Sequence, residues 1–275
     1  MAKIVGAFCM PHDPYITAAP PNTNQEQLGN VRAAFARVAD RIAELKTTTV
    51  ITIGSDHYCM FGPQLIPAYA IGIGDITGPM EPWMGVKEQV VNDNREMAQH
   101  ILQYGAAHGF DWAASKTMCL DHGTILPIEL AVTPAGKQIK NIPVYISSTL
   151  EPFISMKRSH ELGKCIGDAV RAWPQDERVV ILGTGGISHW VGTREMGKVN
   201  PEFDYQILDL TEKGDLQALM ALEDSYILEH GGNGALEIKN WVCAMSALPG
   251  FTGKTYCYEP MPELITGLGI AELIV

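Results

Sequence analysis

Four of the eight histidines stand beside turn-forming residues, where binding and catalytic side chains are often found. His12 follows a proline, His57 follows Gly-Ser-Asp, His122 lies between Asp and Gly, and His189 follows Gly-Gly-Ile-Ser. One such histidine is usually structural, but four in one chain are harder to explain in that way. Neutral imidazoles that converge suit divalent iron, zinc, copper or nickel. The pattern therefore predicts a metal site.

Several acidic residues could complete such a site. Asp13, Asp56 and Asp121 each neighbour one of the histidines, either as metal ligands or as partners that fix an imidazole ring, and both roles stay open. Glu237 begins a helical pattern after a glycine-rich turn. A glutamate at the start of a helix is ordinarily explained by its favourable interaction with the helix dipole. The alternative is that Glu237 is a third metal ligand. Two histidines and one carboxylate form the facial triad of Fe(II) oxygenases.

The other histidines and the glycine-rich motifs add no second site. Residues 183–186 do not match G-x-G-x-x-G, because Ser188 takes the place of the third glycine, and no G-K-[ST] ending follows. The chain has no G-x-S-x-G motif, which argues against a serine hydrolase. The remaining histidines fall within or at the ends of predicted helices and are expected to be solvated or capping residues: His100, His108, His160 and His230.

Hydrophobic periodicity predicts the elements that must position these residues. Apolar and β-branched runs predict strands at residues 3–10, 48–53, 68–73, 143–148, 178–183 and 267–275. Apolar residues at three- and four-residue steps predict helices at residues 25–46, 86–108, 125–132, 159–173, 216–229 and 235–247. Residues 61–85 carry many glycines and prolines and are otherwise expected to form an irregular loop.

Strands that alternate with helices predict an α/β fold with a central mixed sheet flanked by helices. No repeat or linker divides the chain, so we expect one layered domain over residues 1–275. Ligands of open α/β sheets bind beyond the carboxyl ends of the strands. Because His12, His57 and His189 each follow a predicted strand, their side chains are expected to meet at one edge of the sheet.

Composition excludes several classes of protein. The net charge of −11 opposes binding to nucleic-acid phosphates or to an anionic membrane surface, while 46% hydrophobic residues supply a sizeable core. No signal peptide and no run of about 20 apolar residues is present, which predicts a cytoplasmic protein. The six cysteines are scattered and form no C-x-x-C pair, so we expect reduced thiols.

The order of the motifs resembles that of the class III extradiol ring-cleaving dioxygenases, which include the catalytic β subunit of protocatechuate 4,5-dioxygenase and gallate dioxygenases. The resemblance covers nearly the whole chain. Its motifs are Pro-His after the first strand, Ser-Asp-His after the second, Asp-His-Gly with a later proline, Gly-Thr-Gly-Gly-Ile-Ser-His, and a late Gly-x-x-Glu. Each motif alone is weak, and their order and spacing together are specific.

The resemblance implies a role for each residue. His12, His57 and Glu237 match the family's ligands for Fe(II), His189 matches its acid–base histidine, and His122 matches a histidine that contacts substrate or bound oxygen. It also implies O₂-dependent cleavage of a catechol-type ring, with a preference for a carboxylated substrate. Residues 78–84 match no family motif and are expected to shape the substrate pocket.

Two other functions stay open from the sequence. A zinc-dependent hydrolase would use the same histidine cluster to activate water. A non-catalytic binding protein on the same fold would have lost some of these residues, whereas this chain retains all of them. The expected partners are a small aromatic substrate and O₂. A homo-oligomer is the default expectation for the assembly, and some relatives add a small α subunit.

Overall fold

The computed structural model describes residues 1–275 and places all nine strands in one mixed sheet. The order across the sheet is β4-β3-β6-β2-β7-β1-β9-β8, with β5 also paired to β3. The strands are β1 (Lys3–Met10), β2 (Thr49–Gly54), β3 (Tyr69–Gly78), β4 (Gln89–Val90), β5 (Ala113–Cys119), β6 (Lys140–Ile146), β7 (Arg178–Thr184), β8 (Thr252–Met261) and β9 (Thr266–Ile274).

Helices flank this sheet, as the sequence predicts for an α/β fold. Asn24 begins the first helix by accepting hydrogen bonds from the backbone amides of Glu26 and Gln27. The helices are α1 (Gln25–Glu44), α2 (Arg95–Ala107), α3 (His122–Pro127), α4 (Thr133–Ala135), α5 (Met156–Ala172), α6 (Pro201–Lys213), α7 (Leu216–Met220), α8 (Asp224–His230) and α9 (Ile238–Ser246). None of them combines the length and the apolar character that crossing a bilayer requires.

The central strands are parallel and buried on both faces. Strand β7 pairs in parallel with β1 on one side and with β2 on the other. On β2, Ile51 and Ile53 belong to the larger hydrophobic core on one face of the sheet, while Val50, which precedes Ile51, belongs to the core on the opposite face. Because successive side chains of a strand point to opposite faces, a strand between two cores carries apolar residues on both faces and shows no apolar–polar alternation. This explains the continuous apolar runs in the sequence.

Two predicted helices differ from the structure. Residues 86–108 do not form one helix, because β4 occupies the first part and α2 begins only at Arg95. Asn94 marks the boundary, since its side chain accepts a hydrogen bond from the amide of Met97 and caps the helix. The prediction at residues 216–229 is divided into α7 and α8 by a turn.

Besides β4 and the three-residue α4, three elements were not predicted: β5, α6 and β8. Strands β5 and β8 are mostly half-buried or exposed and both contain lysine and threonine, so their sequences lack the apolar signal of the central strands. Strand β3 is also longer than predicted and runs from Tyr69 to Gly78. None of these differences moves the ends of β1, β2 and β7, which His12, His57 and His189 follow.

Candidate active site

Three of the predicted histidines leave the same edge of the sheet. His12 follows β1, His57 follows β2, and His189 follows β7, which lies between those two strands. All three strands are parallel, so their carboxyl ends lie side by side. The expectation that these side chains converge at the carboxyl edge agrees with the structure.

His122 reaches the same point from the start of α3. The two chain segments that carry His57 and His122 touch through their backbones, since a Cβ atom on Gly123 would lie 2.5 Å from the carbonyl oxygen of Ser55. Only glycine permits that approach. The rings of His57 and His122 consequently lie 3.9 Å apart, centroid to centroid. The ligand atoms of His12, His57 and His122 all lie within 4.8 Å of one another.

Glu237 lies at the end of a short 3-10 turn, Gly234–Glu237, and is 1% exposed. Gly185, at φ +152°, lets the backbone pass close to it, because a Cβ atom there would lie 2.4 Å from the Cβ of Glu237. The Gly186 amide donates to Oε2 at 3.0 Å, and the Ser55 hydroxyl donates to Oε1 at 2.5 Å. These contacts fix the carboxylate among the histidines.

The Oε1 atom of Glu237 faces two imidazole nitrogens. It lies 2.9 Å from Nε2 of His12 and 3.3 Å from Nε2 of His57. In both rings the other nitrogen, Nδ1, already has a hydrogen-bond partner. Nδ1 of His57 donates to Asp121 at 2.8 Å, and Nδ1 of His12 contacts the hydroxyl of Thr184 at 3.1 Å. That hydroxyl donates its own hydrogen to the Gly123 carbonyl at 2.8 Å, so it accepts from His12.

This arrangement fits a metal cation. With Nδ1 protonated, a neutral imidazole presents a lone pair at Nε2, and two such lone pairs face a carboxylate oxygen here. Groups that only accept hydrogen bonds repel one another unless a proton or a cation lies between them. Two imidazole nitrogens and a carboxylate, with their outer atoms held by other residues, form a donor set suited to a divalent transition metal.

The pKa values of Glu237 and His57 also reflect the close contact between the carboxylate and the imidazole rings. Burial alone would raise the pKa of Glu237, but the contacts with His12, His57 and His189 outweigh it and hold that pKa well below its usual range. Burial alone would lower the pKa of His57, but its hydrogen bonds to Asp121 and Glu237 outweigh burial and raise it. Both shifts favour positive charge beside Glu237, and a bound cation would supply that charge.

His189 lies on the other side of Glu237, with Nε2 at 3.6 Å from Oε2. Its Nδ1 lies 3.1 Å from the carbonyl oxygen of Ile187, which can only accept, so Nδ1 carries the hydrogen and Nε2 carries the lone pair. Burial is the main cause that lowers the pKa of His189. Gly234 makes room for the ring, because a Cβ atom at that position would lie 2.1 Å from Nε2.

The aspartates next to the histidines have different roles, which the sequence left open. Asp121 accepts from both the backbone amide and Nδ1 of His57, so it holds that ring from behind. Asp13 accepts from the Tyr15 amide and the Thr266 hydroxyl, and Asp56 accepts from two amides of its own loop. All three carboxylates are engaged away from the cluster's centre.

Glu81 belongs to the site but was not a predicted site residue. Its two carboxylate oxygens accept hydrogen bonds from the backbone amide and from Nδ1 of His122, both at 2.7 Å. Glu81 lies in the 78–84 segment, whose sequence carries no chemical motif. A glutamate 41 positions from its histidine gives no local signal, so only the fold reveals the pair.

The four other histidines stay outside the site, as predicted. His100 lies within α2 and its Nε2 contacts the carbonyl of Ala169, while His108 follows the same helix. His160 lies within α5, and His230 ends α8. The six cysteines are unpaired. Neither group adds a second cluster of metal ligands.

Comparison with known proteins identifies the family. The family described as the catalytic LigB subunit of aromatic ring-opening dioxygenase matches residues 6–269, nearly the whole chain. The chain belongs to this family. The resemblance seen in the sequence motifs is thereby confirmed, and the chain is an extradiol ring-cleaving dioxygenase that acts on an aromatic compound with O₂.

Curated relatives match this chain over nearly their full length and carry the names of ring-cleaving dioxygenases. The chain is 28% identical to a 2,3-dihydroxyphenylpropionate/2,3-dihydroxicinnamic acid 1,2-dioxygenase of Mycolicibacterium paratuberculosis, over 95% of this chain and 96% of the relative. It is also 28% identical to a protein of the same name from Rhodococcus rhodochrous, over 96% of each. A solved structure of an uncharacterized Escherichia coli K12 protein matches 98% of this chain and 99% of its own, with a TM-score of 0.60 and 12% identity. That likeness confirms the α/β fold alone.

Proposed function

We propose that the chain binds one Fe(II) through His12, His57 and Glu237 and uses it to cleave a catechol ring with O₂. The observation that carries the proposal is the meeting of three donors at one point, with Oε1 of Glu237 at 2.9 and 3.3 Å from the two Nε2 atoms. Two histidines and one carboxylate leave coordination positions open, as non-haem Fe(II) oxygenases require. Bound iron would supply electron transfer between an aromatic diol and O₂ and would hold both reactants together.

His189 is proposed to take a phenolic proton from the substrate and to return it later in the reaction. Its Nδ1–H is committed to the Ile187 carbonyl, so the lone pair at Nε2 is the acceptor on the side of Glu237. A neutral imidazole suits both steps, because it can accept a proton and release it near neutral pH. Burial keeps His189 neutral before the substrate arrives.

His122 is proposed to hydrogen-bond to the substrate or to oxygen from its position beside His57. Its ring centroid lies 5.7 Å from that of His12 and 3.9 Å from that of His57, so it borders the same space. A hydrogen bond that the Nε2 lone pair accepts from a substrate hydroxyl would hold the substrate in its reactive orientation, and such positioning counts most in the transition state. Removing His122 is therefore expected to lower kcat more than it changes KM.

The proposed substrate is a catechol that carries a short carboxylated side chain. The proposal comes from the relatives, whose names specify 2,3-dihydroxyphenylpropionate and which match 95–100% of this chain. A protein of net charge −11 needs a local cation to attract such an anion. We propose Lys198 as that cation, because its Nζ lies 4.4 Å from the ring centroid of Trp190, the residue that follows His189 in the chain.

A substrate comparison tests this choice. Iron-reconstituted enzyme would be assayed for ring-opened product with 2,3-dihydroxyphenylpropionate and with 3-methylcatechol, which lacks the carboxylate. We expect a kcat/KM at least tenfold higher for the carboxylated compound, and a smaller preference in Lys198→Met. Lys213→Met, an exposed lysine paired with Asp209, is the matched control. Equal kcat/KM values for the two compounds would contradict the carboxylated substrate while leaving ring cleavage intact.

The assembly stays a prediction. We propose that residues 1–275 act as one catalytic domain in a homo-oligomer, with a small α subunit as the alternative assembly. Light scattering of the purified chain tests the first part. Full turnover by the chain alone would show that no added subunit is required.

A further inference from the structure

The strongest contact not used by the proposed reaction joins Glu81 to His122. Oε2 of Glu81 accepts the backbone N–H of His122, and Oε1 accepts the ring Nδ1–H, both at 2.7 Å. The side chains are 14% and 11% exposed, so water competes little for either bond. Two bonds from one carboxylate to one residue fix both the position and the rotation of the ring.

The contact also determines which ring nitrogen of His122 carries hydrogen. An ionised carboxylate can only accept hydrogen bonds, so Nδ1 must be the protonated nitrogen. Nε2 of the neutral ring then carries a lone pair. Burial alone would raise the pKa of Glu81, but its contacts with His122 outweigh burial and lower it, consistent with an ionised carboxylate.

The segment that carries Glu81 is itself held in place. The amide of Met80 donates to the carbonyl of Leu120 at 2.8 Å, which ties the segment to the chain just before His122. Met84, at the other end of the segment, is fully buried in the hydrophobic core beneath α1. The segment is thus anchored in the core at Met84 and bonded at Met80 to the residues before His122. These two attachments keep the carboxylate of Glu81 next to the ring.

We propose that Glu81 is a positioning residue for the reaction: it holds His122 as the tautomer that presents the Nε2 lone pair toward the cluster, ready to accept a hydrogen bond from a substrate hydroxyl. The inference rests on the proposed function for its catalytic consequence. Its structural part, the tautomer of His122, holds with or without metal. Glu81 thereby gives residues 78–84 a task besides shaping the pocket.

The test uses Glu81→Gln. A glutamine can offer its oxygen to only one of the two N–H groups, and its amide nitrogen then faces the other as donor against donor. We expect kcat to fall about 10–100-fold, with KM changed less than threefold and bound iron unchanged. Glu81→Asp keeps the charge at a shorter reach and is expected to recover part of the rate. Glu88→Gln, the same change at an exposed glutamate nearby, is the matched control.

The deciding readout is ¹⁵N NMR of metal-free protein labelled at its histidine rings, where the signals of His122 are those missing from His122→Asn. The wild-type protein is expected to show a protonated Nδ1 and an unprotonated Nε2, and Glu81→Gln is expected to show a mixture of tautomers. An unchanged tautomer in Glu81→Gln would overturn the inference, as would loss of iron in step with activity. Inactive wild-type enzyme with the expected tautomer would instead contradict the proposed function alone.

Discussion

Asp121 holds His57 at two points: one carboxylate oxygen lies 3.1 Å from the backbone nitrogen and 2.8 Å from Nδ1. Glu81 makes the same two-point contact with His122. Two neighbouring histidines whose rings lie 3.9 Å apart are therefore each fixed by a separate buried or half-buried carboxylate. Both contacts take the Nδ1–H and leave Nε2 toward the centre of the cluster.

The contact with Asp121 predicts a loss of metal affinity in Asp121→Asn. The amide keeps the size of the side chain but removes the charge, so the ring of His57 loses orientation and basicity. Changes of this kind cost about 10–100-fold in metal affinity or activity. The loss of iron affinity is measured by competition with a chelator. Asp111→Asn, an exposed aspartate, is the control, and equal affinity in both variants would contradict the positioning role of Asp121.

Glu237→Gln is expected to lose iron. The substitution keeps the shape that packs against Gly185 but removes the negative charge that faces His12 and His57. Iron per chain, measured by mass spectrometry after dialysis, should fall at least tenfold while the circular dichroism spectrum stays that of the parent. Full iron occupancy in Glu237→Gln would contradict its assignment as a ligand.

Gly234→Ala is expected to disable His189 without touching a metal ligand. The added Cβ would lie 2.1 Å from Nε2 of His189, so the ring must move away from Glu237. We expect kcat to fall about 10²–10⁴-fold with iron retained, the same result as for His189→Ala. Single-turnover rates and iron content measure both. A wild-type turnover rate in either variant would contradict the role of His189. Gly250→Ala is the control, because a Cβ atom at that position meets nothing within 4 Å.

Asp204 predicts a pH-dependent contribution to stability. It is fully buried and accepts from the Ser188 amide and hydroxyl and from the Tyr258 hydroxyl. Burial raises the pKa of Asp204 to about 6 from its ordinary 3.8, against those hydrogen bonds, which lower it. The folded state therefore holds a proton that the unfolded state has released. This contribution is fully present below pH 3.8 and is lost as pH rises through 6.

Urea unfolding of the wild-type protein and Asp204→Asn at pH 4.5 and pH 7.5 measures that contribution. The free energy of unfolding of the wild-type protein, relative to the variant, should fall by roughly 2 kcal/mol between the two pH values. Asp209→Asn, an exposed aspartate on the same helix, serves as the control. A difference between wild type and Asp204→Asn that does not change with pH would contradict the raised pKa.

The parts of the site that the sequence could predict follow from the sheet. Strands β1, β2 and β7 are buried on both faces, so their apolar runs are strong and their ends are well defined. Once parallel strands place their carboxyl ends together, the convergence of His12, His57 and His189 needs no further information.

The parts that could not be predicted depend on contacts between distant residues. From the sequence, Asp13, Asp56 and Asp121 were equivalent candidates beside their histidines. Only the fold shows that Asp121, alone among the three, accepts a hydrogen bond from an imidazole ring of the cluster. Glu81 and His122 come together through pairing of β3 with β5, a strand without an apolar signal. Because β5 was not predicted, the sequence analysis could not place Glu81 in the site.

The most direct test of the account measures O₂ consumption by metal-free protein reloaded anaerobically with either Fe(II) or Zn(II). With 2,3-dihydroxyphenylpropionate, the Fe(II) protein is expected to consume one O₂ per ring opened, seen as a new near-ultraviolet or visible absorbance, and the Zn(II) protein none. An Fe(II) protein with iron demonstrably bound that consumes no O₂ with any catechol, or a Zn(II) protein that transforms the substrate without O₂, would contradict the proposed iron-dependent ring cleavage.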